Sequence, residues 1–309
     1  MLNLNKVRIE EDYNISKAEL QQGISISGEI ISKIQICMEN ILQRKEEGNI
    51  KFYNSQWTQR VFELDTDPGL IFKMDAYAIN KDSPLNNRYQ NMIYAQTVIR
   101  THQLGLLIIP HAKLFTVDLG DEKHEIIAEQ KMNINPHESA QEEYFLDYAD
   151  SLNETIPQLA LFICKTGYSD VEWRNNPILN NSFDGKDRKI ALIDLEEMKS
   201  ATDGLFGGAF GRRGLVECVN EEQGEVVKTI AEENGISTSF FESAYSQRKK
   251  ELEDGRKLKE YYRKKEIIKG NEQIKIDENA LDFSTNSEKT KELKRLTLNL
   301  IFLDVSLKS

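Results

Sequence analysis

The spacing of hydrophobic positions changes along the chain from helical to strand-like. Over residues 15–46, apolar side chains recur at three- and four-residue steps, which predicts a helix. The short apolar runs VFEL and LIFKM then flank the sequence DTDPG, which has the composition of a turn. These two runs therefore predict a pair of adjacent strands.

The middle of the chain repeats this alternation of helical and strand-like spacing. Residues 85–103 predict a helix, and the runs AKLFTVDL and HEIIAEQKMNI predict a hairpin across GDEK. YADSLNETIPQLALFICKTG predicts a helix that ends at Gly167. DRKIALIDLEEM predicts a short buried strand, reached through a hairpin tip in NNSFDGKDR. From residue 214 onward the spacing is mostly helical, with a charge-rich helix SAYSQRKKELEDGRKLKEYYRKKEII and a final amphipathic segment TKELKRLTLNLIFLDVSL.

This order of elements predicts an α+β fold with two lobes, a small lobe built on an antiparallel sheet and a mostly helical lobe. We place an N-terminal helical extension over residues 1–50 and the sheet-containing N-lobe over residues 51–134. The helical C-lobe, with its charged C-terminal helices, then occupies residues 135–309. The boundary is expected just after Ile134, in the polar stretch NPHESAQEEY.

Composition narrows the classes of function. The chain has 309 residues, 39% of them hydrophobic, and a net charge of -11, so it lacks the basic balance that a general nucleic-acid partner requires. The net charge does not exclude a local basic patch on the surface. The cysteines Cys37, Cys164 and Cys218 have no metal-type spacing, which disfavours a zinc site and favours buried thiols in a reducing compartment.

The same composition bears on location. No apolar run is long enough for a membrane span, and the acidic start MLNLNKVRIEEDYN has no signal-peptide core. We therefore expect a cytoplasmic or otherwise intracellular protein, and the sequence does not show whether it is a secreted effector. The abundance of Asn, Lys and Ile is compatible with an AT-rich bacterial genome.

Four polar residues lie at positions that suit nucleotide chemistry. Lys73 lies on an apolar strand after the turn, Asp170 and Asn175 are five residues apart in SDVEWRNNPIL, and Asp194 ends the strand KIALID. A strand lysine can neutralise phosphate charge and a loop aspartate can accept the proton of an attacking hydroxyl. Asparagine and aspartate oxygens suit Mg²⁺. The set therefore predicts phosphoryl transfer from ATP.

These motifs resemble the protein-kinase-like superfamily over about residues 58–245, without identifying a subfamily. SDVEWRNNPIL resembles its catalytic loop, GLIFKM the strand of the ATP lysine and EIIAEQKMNI the strand and hinge that receive adenine. ALIDLEE has the Asp-x-Glu form of choline kinase and aminoglycoside phosphotransferase relatives. The resemblance implies ATP and Mg²⁺ as cofactors. It gives catalytic roles to Asp170 and Lys73 and metal-binding roles to Asn175 and Asp194. The residues that it implies at the nucleotide are Lys73, Gly69 and Glu129.

Three features depart from that pattern. DTDPG offers one glycine where a glycine-rich loop would precede Lys73, and Tyr168-Ser169 replace the His-Arg that usually precedes the loop aspartate. No acid occurs between Asp82 and Asp118, so the helix there offers Lys73 only the amides of glutamines such as Gln90 and Gln96. Because the arginine of that His-Arg pair is missing, activation by a phosphorylated loop is not expected.

Several alternatives stay open. The chain is a phosphotransferase with an unknown protein or small-molecule acceptor, or a pseudokinase that binds a nucleotide or a partner, or a non-enzymatic helical interaction protein. Transfer of another ATP-derived group is also open. In GLFGGAFGRRGL, Arg212 and Arg213 are candidate contacts for an anionic substrate, and the alternative there is a surface loop.

Overall fold

The computed structural model describes residues 2–46, 50–53, 59–75, 84–119, 122–134, 145, 148–184, 186–196, 198, 215–238, 241–250, 253–254 and 257. Its helices are α1 (Leu2–Gln21), α2 (Gly28–Gln43), α3 (Pro84–Thr101), α4 (Thr155–Thr166), α5 (Glu221–Glu233) and α6 (residues 241–250). Its strands are β1 (Ile50–Phe52), β2 (Gln59–Leu64), β3 (Leu70–Asp75), β4 (Leu107–Ile108), β5 (Ala112–Leu119), β6 (Glu122–Gln130), β7 (Ile178–Asp184) and β8 (Asp187–Ala191). Short 3₁₀ turns occupy Ala149–Leu152 and Leu215–Cys218. The α+β class is therefore as predicted.

The chain divides into two compact units, Met1–Leu252 and Glu253–Ser309. All the helices and strands named above belong to the first unit. In the second unit, Lys257 Nζ lies 2.8 Å from Glu253 Oε1. Helix α6 covers the start of the predicted charge-rich helix, whereas the predicted terminal amphipathic segment and the stretch after Ile134 lie outside the described residues.

The predicted single helix over residues 15–46 is wrong, because two helices with different partners occupy this region. Gly23 adopts a left-handed backbone with φ of 77°, which glycine tolerates at little cost, and the chain turns there. Ser27 then caps α2 by accepting a hydrogen bond from the backbone N–H of Ile30. Helix α1 contacts α3, where the hydroxyl of Thr97 donates to Ser16 Oγ at 2.9 Å.

An antiparallel sheet has the strand order β1-β2-β3-β6-β5, and both predicted hairpins in it are confirmed. Its register pairs Ile71 with Glu129 and Lys73 with Ile127. Because side chains alternate between the faces of a strand, Lys73 and Glu129 point to the same face. The other face, with Phe72 and Met74, packs in a hydrophobic cluster with the apolar residues of α2. Ile127, on the Lys73 face, joins the larger cluster that includes α3 and α4.

A second sheet has the strand order β4-β8-β7; β4 precedes helix α4 in the chain, and the β7–β8 hairpin follows it. Helix α4 ends at Gly167, as predicted, with φ of 68° and its N–H bonded to the carbonyl of Ile163. The chain then runs through the loop at residues 168–177 into the β7–β8 hairpin. The backbone N–H of Ile193, just beyond β8, donates to the carbonyl of Asn175 at 3.1 Å. The loop and the end of the hairpin are therefore joined side by side.

Candidate functional site

Lys73 and Glu129 form a buried ion pair across the β3–β6 ladder. Lys73 Nζ lies 2.7 Å from Glu129 Oε2, and the two side chains are 10% and 4% exposed. The ammonium also donates to the carbonyl of Ile193 at 2.9 Å. Burial lowers the pKa of Lys73, and the nearby Arg88 guanidinium lowers it further, against the opposing carboxylates of Glu129 and Asp194. Lys73 is therefore fixed in place by one side chain and one carbonyl.

The partner of Lys73 differs from the sequence-based expectation. The two glutamines of α3 lie against α1: Gln90 accepts a hydrogen bond from the hydroxyl of Tyr13, and Gln96 Nε2 donates to Glu19 Oε2 at 3.2 Å. The suggestion that they bind Lys73 is wrong. The acid comes from the neighbouring strand β6, where Glu129 contributes its side chain to the contacts of Lys73.

Arg88 of α3 lies at the centre of the cluster and is 2% exposed. Its Nη1 lies 2.9 Å from Asp194 Oδ1 and 2.7 Å from Glu196 Oε1. Its Nη2 donates to the carbonyl of Ile193 at 2.6 Å, and its Nε faces Glu129 Oε1 at 3.4 Å. Burial alone would lower the pKa of Arg88, but the surrounding carboxylates outweigh burial and raise it.

The segment from Asp194 to Glu196 is held by side chains from two other elements. Asn91, one turn beyond Arg88 on α3, donates to the carbonyls of Leu195 at 2.8 Å and Glu196 at 3.1 Å. Gln59 at the start of β2 donates to Glu196 Oε1 at 2.5 Å. The Asp194 and Glu196 side chains are still 35% and 36% exposed. Both carboxylates are thus anchored on the inside and reach solvent on the outside.

The loop at residues 168–177 brings Asn175 and Asp170 next to this segment. Asn175 is buried, and its Nδ2 donates to the carbonyl of Asp170 at 3.3 Å. Its backbone N–H donates to the carbonyl of Glu172 at 2.9 Å, and its own carbonyl accepts from Ile193. The predicted loop residues therefore adjoin the strand end that carries Asp194.

Tyr168 begins the loop that carries Asp170, and both predicted aspartates influence its pKa. Its side chain is fully buried, and burial raises the pKa of its hydroxyl well above the ordinary value. The carboxylates of Asp194 and Asp170 raise that pKa further.

Gly69, Arg212 and Arg213 are the remaining predicted residues. Gly69 precedes β3, and its carbonyl accepts from the backbone N–H of Lys131 at 2.8 Å. It lies four residue steps before Lys73 along an extended strand, or about 13 Å, so it takes no part in the contacts around Lys73. Its assignment to the nucleotide stays a prediction. Arg212 and Arg213 lie outside the described residues.

Sequence reasoning missed Arg88, although the pattern of α3 contains a signal for it. Arg88 and Arg100 are the charged residues of this helix. Arg88 falls on the stripe formed by Leu85, Tyr89 and Met92, at the three- and four-residue spacing of a buried helix face. A charged residue on such a stripe requires a buried partner of opposite charge. That requirement predicts a buried acid beside Arg88, although it does not identify which acid.

Comparison with known proteins gives no relative: no family model matches the chain, and no curated protein matches it. Across the described ranges, no helix combines the length and the apolar character needed to cross a membrane. Within the same ranges, no three or more His, Cys, Asp or Glu side chains gather in a group that could hold a metal by themselves. Function must therefore be inferred from the contacts of the site.

Proposed function

We propose that the cluster around Lys73 is the nucleotide site of an ATP- and Mg²⁺-dependent phosphotransferase with a protein-kinase-like fold. The observation that carries the proposal is the carbonyl of Ile193. It accepts from the buried Lys73 ammonium, while the N–H of the same residue bonds the loop that holds Asp170 and Asn175. Ile193 therefore links the strand lysine to the loop that carries Asp170 and to the strand end that carries Asp194, positions that are 97 and 24 residues apart in the chain (170 − 73 and 194 − 170).

The topology supports the fold part of the proposal. A five-stranded antiparallel sheet with a helix between its third and fourth strands along the sequence precedes a loop and a β-hairpin. Ile134, just after β6, bridges Leu179 of that hairpin. This connection is compatible with two lobes that meet beside Lys73. In that arrangement the site lies between the sheet and the loop, where a nucleotide would have access to both.

The donor atoms present fit Mg²⁺. Magnesium in nucleotide sites takes one or two carboxylates together with phosphate oxygens and waters, so it needs no cage of three acidic side chains. Asp194 and Glu196 each expose about a third of their side chain, and Asn175 adds an amide oxygen. Asp194 and Asn175 would hold the ion, with Glu196 beside them. When bound, the ion neutralises charge on the phosphates.

The residues divide the chemistry of transfer between them. The positive charge of Lys73 stabilises the negative charge of the nucleotide phosphates. The contacts of Lys73 with Glu129 and Ile193 fix its position. Asp170 accepts the proton of the acceptor hydroxyl while the oxygen of that hydroxyl bonds to the γ-phosphorus. The bond from that phosphorus to the β–γ bridging oxygen breaks, and ADP leaves. The acceptor class is an alcohol, borne by a protein or a small molecule.

A pseudokinase is the second candidate, and one contact favours it. Arg88 Nη1 already contacts Asp194 Oδ1 and Glu196 Oε1, so the carboxylates that would meet a metal have an internal cation as partner. A site of this kind could bind a nucleotide without transferring phosphate. Binding and transfer therefore need separate measurements.

Thermal unfolding of the full chain in four solutions tests the binding part. We expect Tm to rise in ATP with Mg²⁺, but not in ATP alone or in Mg²⁺ alone, relative to buffer of equal ionic strength. At 100 times the dissociation constant, the bound ligand would add about 2.7 kcal/mol to the free energy of unfolding. An equal rise in ATP without Mg²⁺ would argue against a metal-dependent site. No rise in any solution would support the non-enzymatic interaction protein.

A further inference from the structure

We propose that Arg88 is a positioning residue, which orients Asp194 and Glu196 to receive a Mg²⁺–nucleotide complex. The inference rests on the proposed function and adds a determinant that lies outside the predicted set. Arg88 would not touch the nucleotide, because it is 2% exposed and lies on the inner side of both carboxylates. Arg88 would influence binding indirectly, through the carboxylate oxygens of Asp194 and Glu196 that it contacts.

The first support is the number of groups that one guanidinium fixes. Nη1 contacts one oxygen of Asp194 and one of Glu196, and Nη2 contacts the carbonyl of Ile193. Arg88 therefore ties three residues of a four-residue segment, at positions 193, 194 and 196, to α3. Asn91 adds hydrogen bonds to the carbonyls of Leu195 and Glu196 from the same helix. The position of α3 thus sets the position of the whole segment.

The second support is the geometry that arginine alone supplies. A guanidinium presents five N–H donors in one rigid plane, whereas a lysine ammonium is a compact charge on a flexible stem. Here the Nη1 and Nη2 donors serve the strand end, while Nε faces Glu129 Oε1 at 3.4 Å. Lysine at this position could keep the charge, but it could not reach all of these acceptors at once.

The third support is the charge balance. Lys73 and Arg88 supply two positive charges, and Glu129, Asp194 and Glu196 supply three negative ones, so the cluster carries 2 − 3 = −1. Without Arg88 it would carry −2. A Mg²⁺–ATP complex is itself anionic, so loss of this cation and loss of the orientation act in the same direction. Both weaken binding of the complex.

The test is calorimetric titration of ATP, with Mg²⁺ and with EDTA, into the wild-type chain and into Arg88→Lys and Arg88→Met. Mutation of a residue that holds a metal ligand in place typically weakens metal affinity about 10- to 100-fold. We expect Mg²⁺–ATP binding to weaken by that factor in both variants. In EDTA, ATP should bind none of the three proteins, because the site is expected to depend on Mg²⁺. The binding stoichiometry reports the folded fraction separately from the dissociation constant.

Matched controls use the other arginine of the same helix. Arg100 pairs with Asp12 of α1 at 2.8 Å, so Arg100→Lys and Arg100→Met should keep wild-type affinity. If Arg88→Met does not fold, Arg88→Lys decides, together with Asn91→Ala, which should also weaken Mg²⁺–ATP binding. Wild-type affinity in Arg88→Lys would overturn the inference, since charge alone would then suffice. Tighter binding in Arg88→Met would overturn it too, by showing that Arg88 competes with the metal.

Failure of this inference is distinguishable from failure of the proposed function. Asp194→Asn is titrated in the same series. If Asp194→Asn loses Mg²⁺-dependent affinity and the Arg88 variants keep it, Arg88 has no positioning role and the nucleotide site stands. If Asp194→Asn also keeps wild-type affinity, the nucleotide site itself is wrong.

Discussion

Glu129→Gln is expected to lower the free energy of unfolding by about 3–5 kcal/mol, the range found when one partner of a buried ion pair is removed. Glutamine keeps the size of the side chain but removes the charge. Lys73 and Arg88 would then remain buried beside each other without the carboxylate that lies 2.7 Å from one and 3.4 Å from the other. Denaturant unfolding followed by circular dichroism measures the loss.

The pH dependence of this variant identifies the cause. In the folded protein burial lowers the pKa of Lys73 below its ordinary value, and loss of Glu129 would lower that pKa further. The unfolded chain then binds more protons than the folded one, so the stability of the variant should rise with pH in the range below the ordinary lysine pKa. A destabilisation that does not change with pH would point to packing alone.

The control for Glu129→Gln lies on the same strand. Glu122 begins β6, and its side chain is 66% exposed. Glu122→Gln removes the same charge from an exposed carboxylate that lies 3.6 Å from His124 Nε2, beyond hydrogen-bond distance, so its effect should stay within about 0.5 kcal/mol, as for ordinary surface substitutions. Equal losses in the two variants would show that the buried pair with Lys73 does not stabilise the fold in the manner inferred.

Asp170→Asn is expected to lower the rate of phosphoryl transfer from ATP by about 100- to 10,000-fold, the contribution of a well-placed general base. Asparagine has nearly the same shape but cannot take the proton of the acceptor hydroxyl. The affinity for Mg²⁺–ATP should change little, because in the proposed site the phosphates would contact Lys73 and the metal rather than Asp170. Release of labelled phosphate from γ-labelled ATP, with water as acceptor, measures the rate without knowledge of the natural acceptor.

Asp184→Asn serves as the control for Asp170→Asn. Asp184 is exposed and ends β7, on the side of the hairpin away from the loop, so this variant should release phosphate at the wild-type rate. If the wild-type chain binds Mg²⁺–ATP but releases no label above background, the pseudokinase is the better description. Equal release by wild type and Asp170→Asn would exclude Asp170 as the base.

Local elements were predictable where short patterns decide them. The turn DTDPG and the alternation around it fixed β2 and β3, and Gly167 marked the end of α4. The same chemistry could have divided the helix predicted over residues 15–46, because Gly23 and the capping residue Ser27 lie four residues apart. The apolar spacing on both sides concealed that break.

The partners within the site were harder to predict because they depend on register and on contacts far apart in sequence. Lys73 and Glu129 share a face only because β3 pairs with β6 in one particular register. Arg88 contacts Asp194 across 106 residues, and no local pattern specifies such a contact. The sequence therefore indicated which residue types carry the proposed chemistry, but not that a strand acid and a helix arginine surround the lysine.

The most direct test of the nucleotide site is calorimetric titration of ATP in the presence of Mg²⁺ into wild type and Asp194→Asn, with Asp65→Asn, at an exposed turn position, as the control. Asp194 would contact the metal itself. Its substitution should therefore weaken Mg²⁺–ATP binding by more than about 100-fold, the upper range for residues that only hold a metal ligand in place. We predict Mg²⁺-dependent binding in wild type and Asp65→Asn, and its loss in Asp194→Asn. Equal affinity in all three proteins, or no binding by the wild type, would contradict the account.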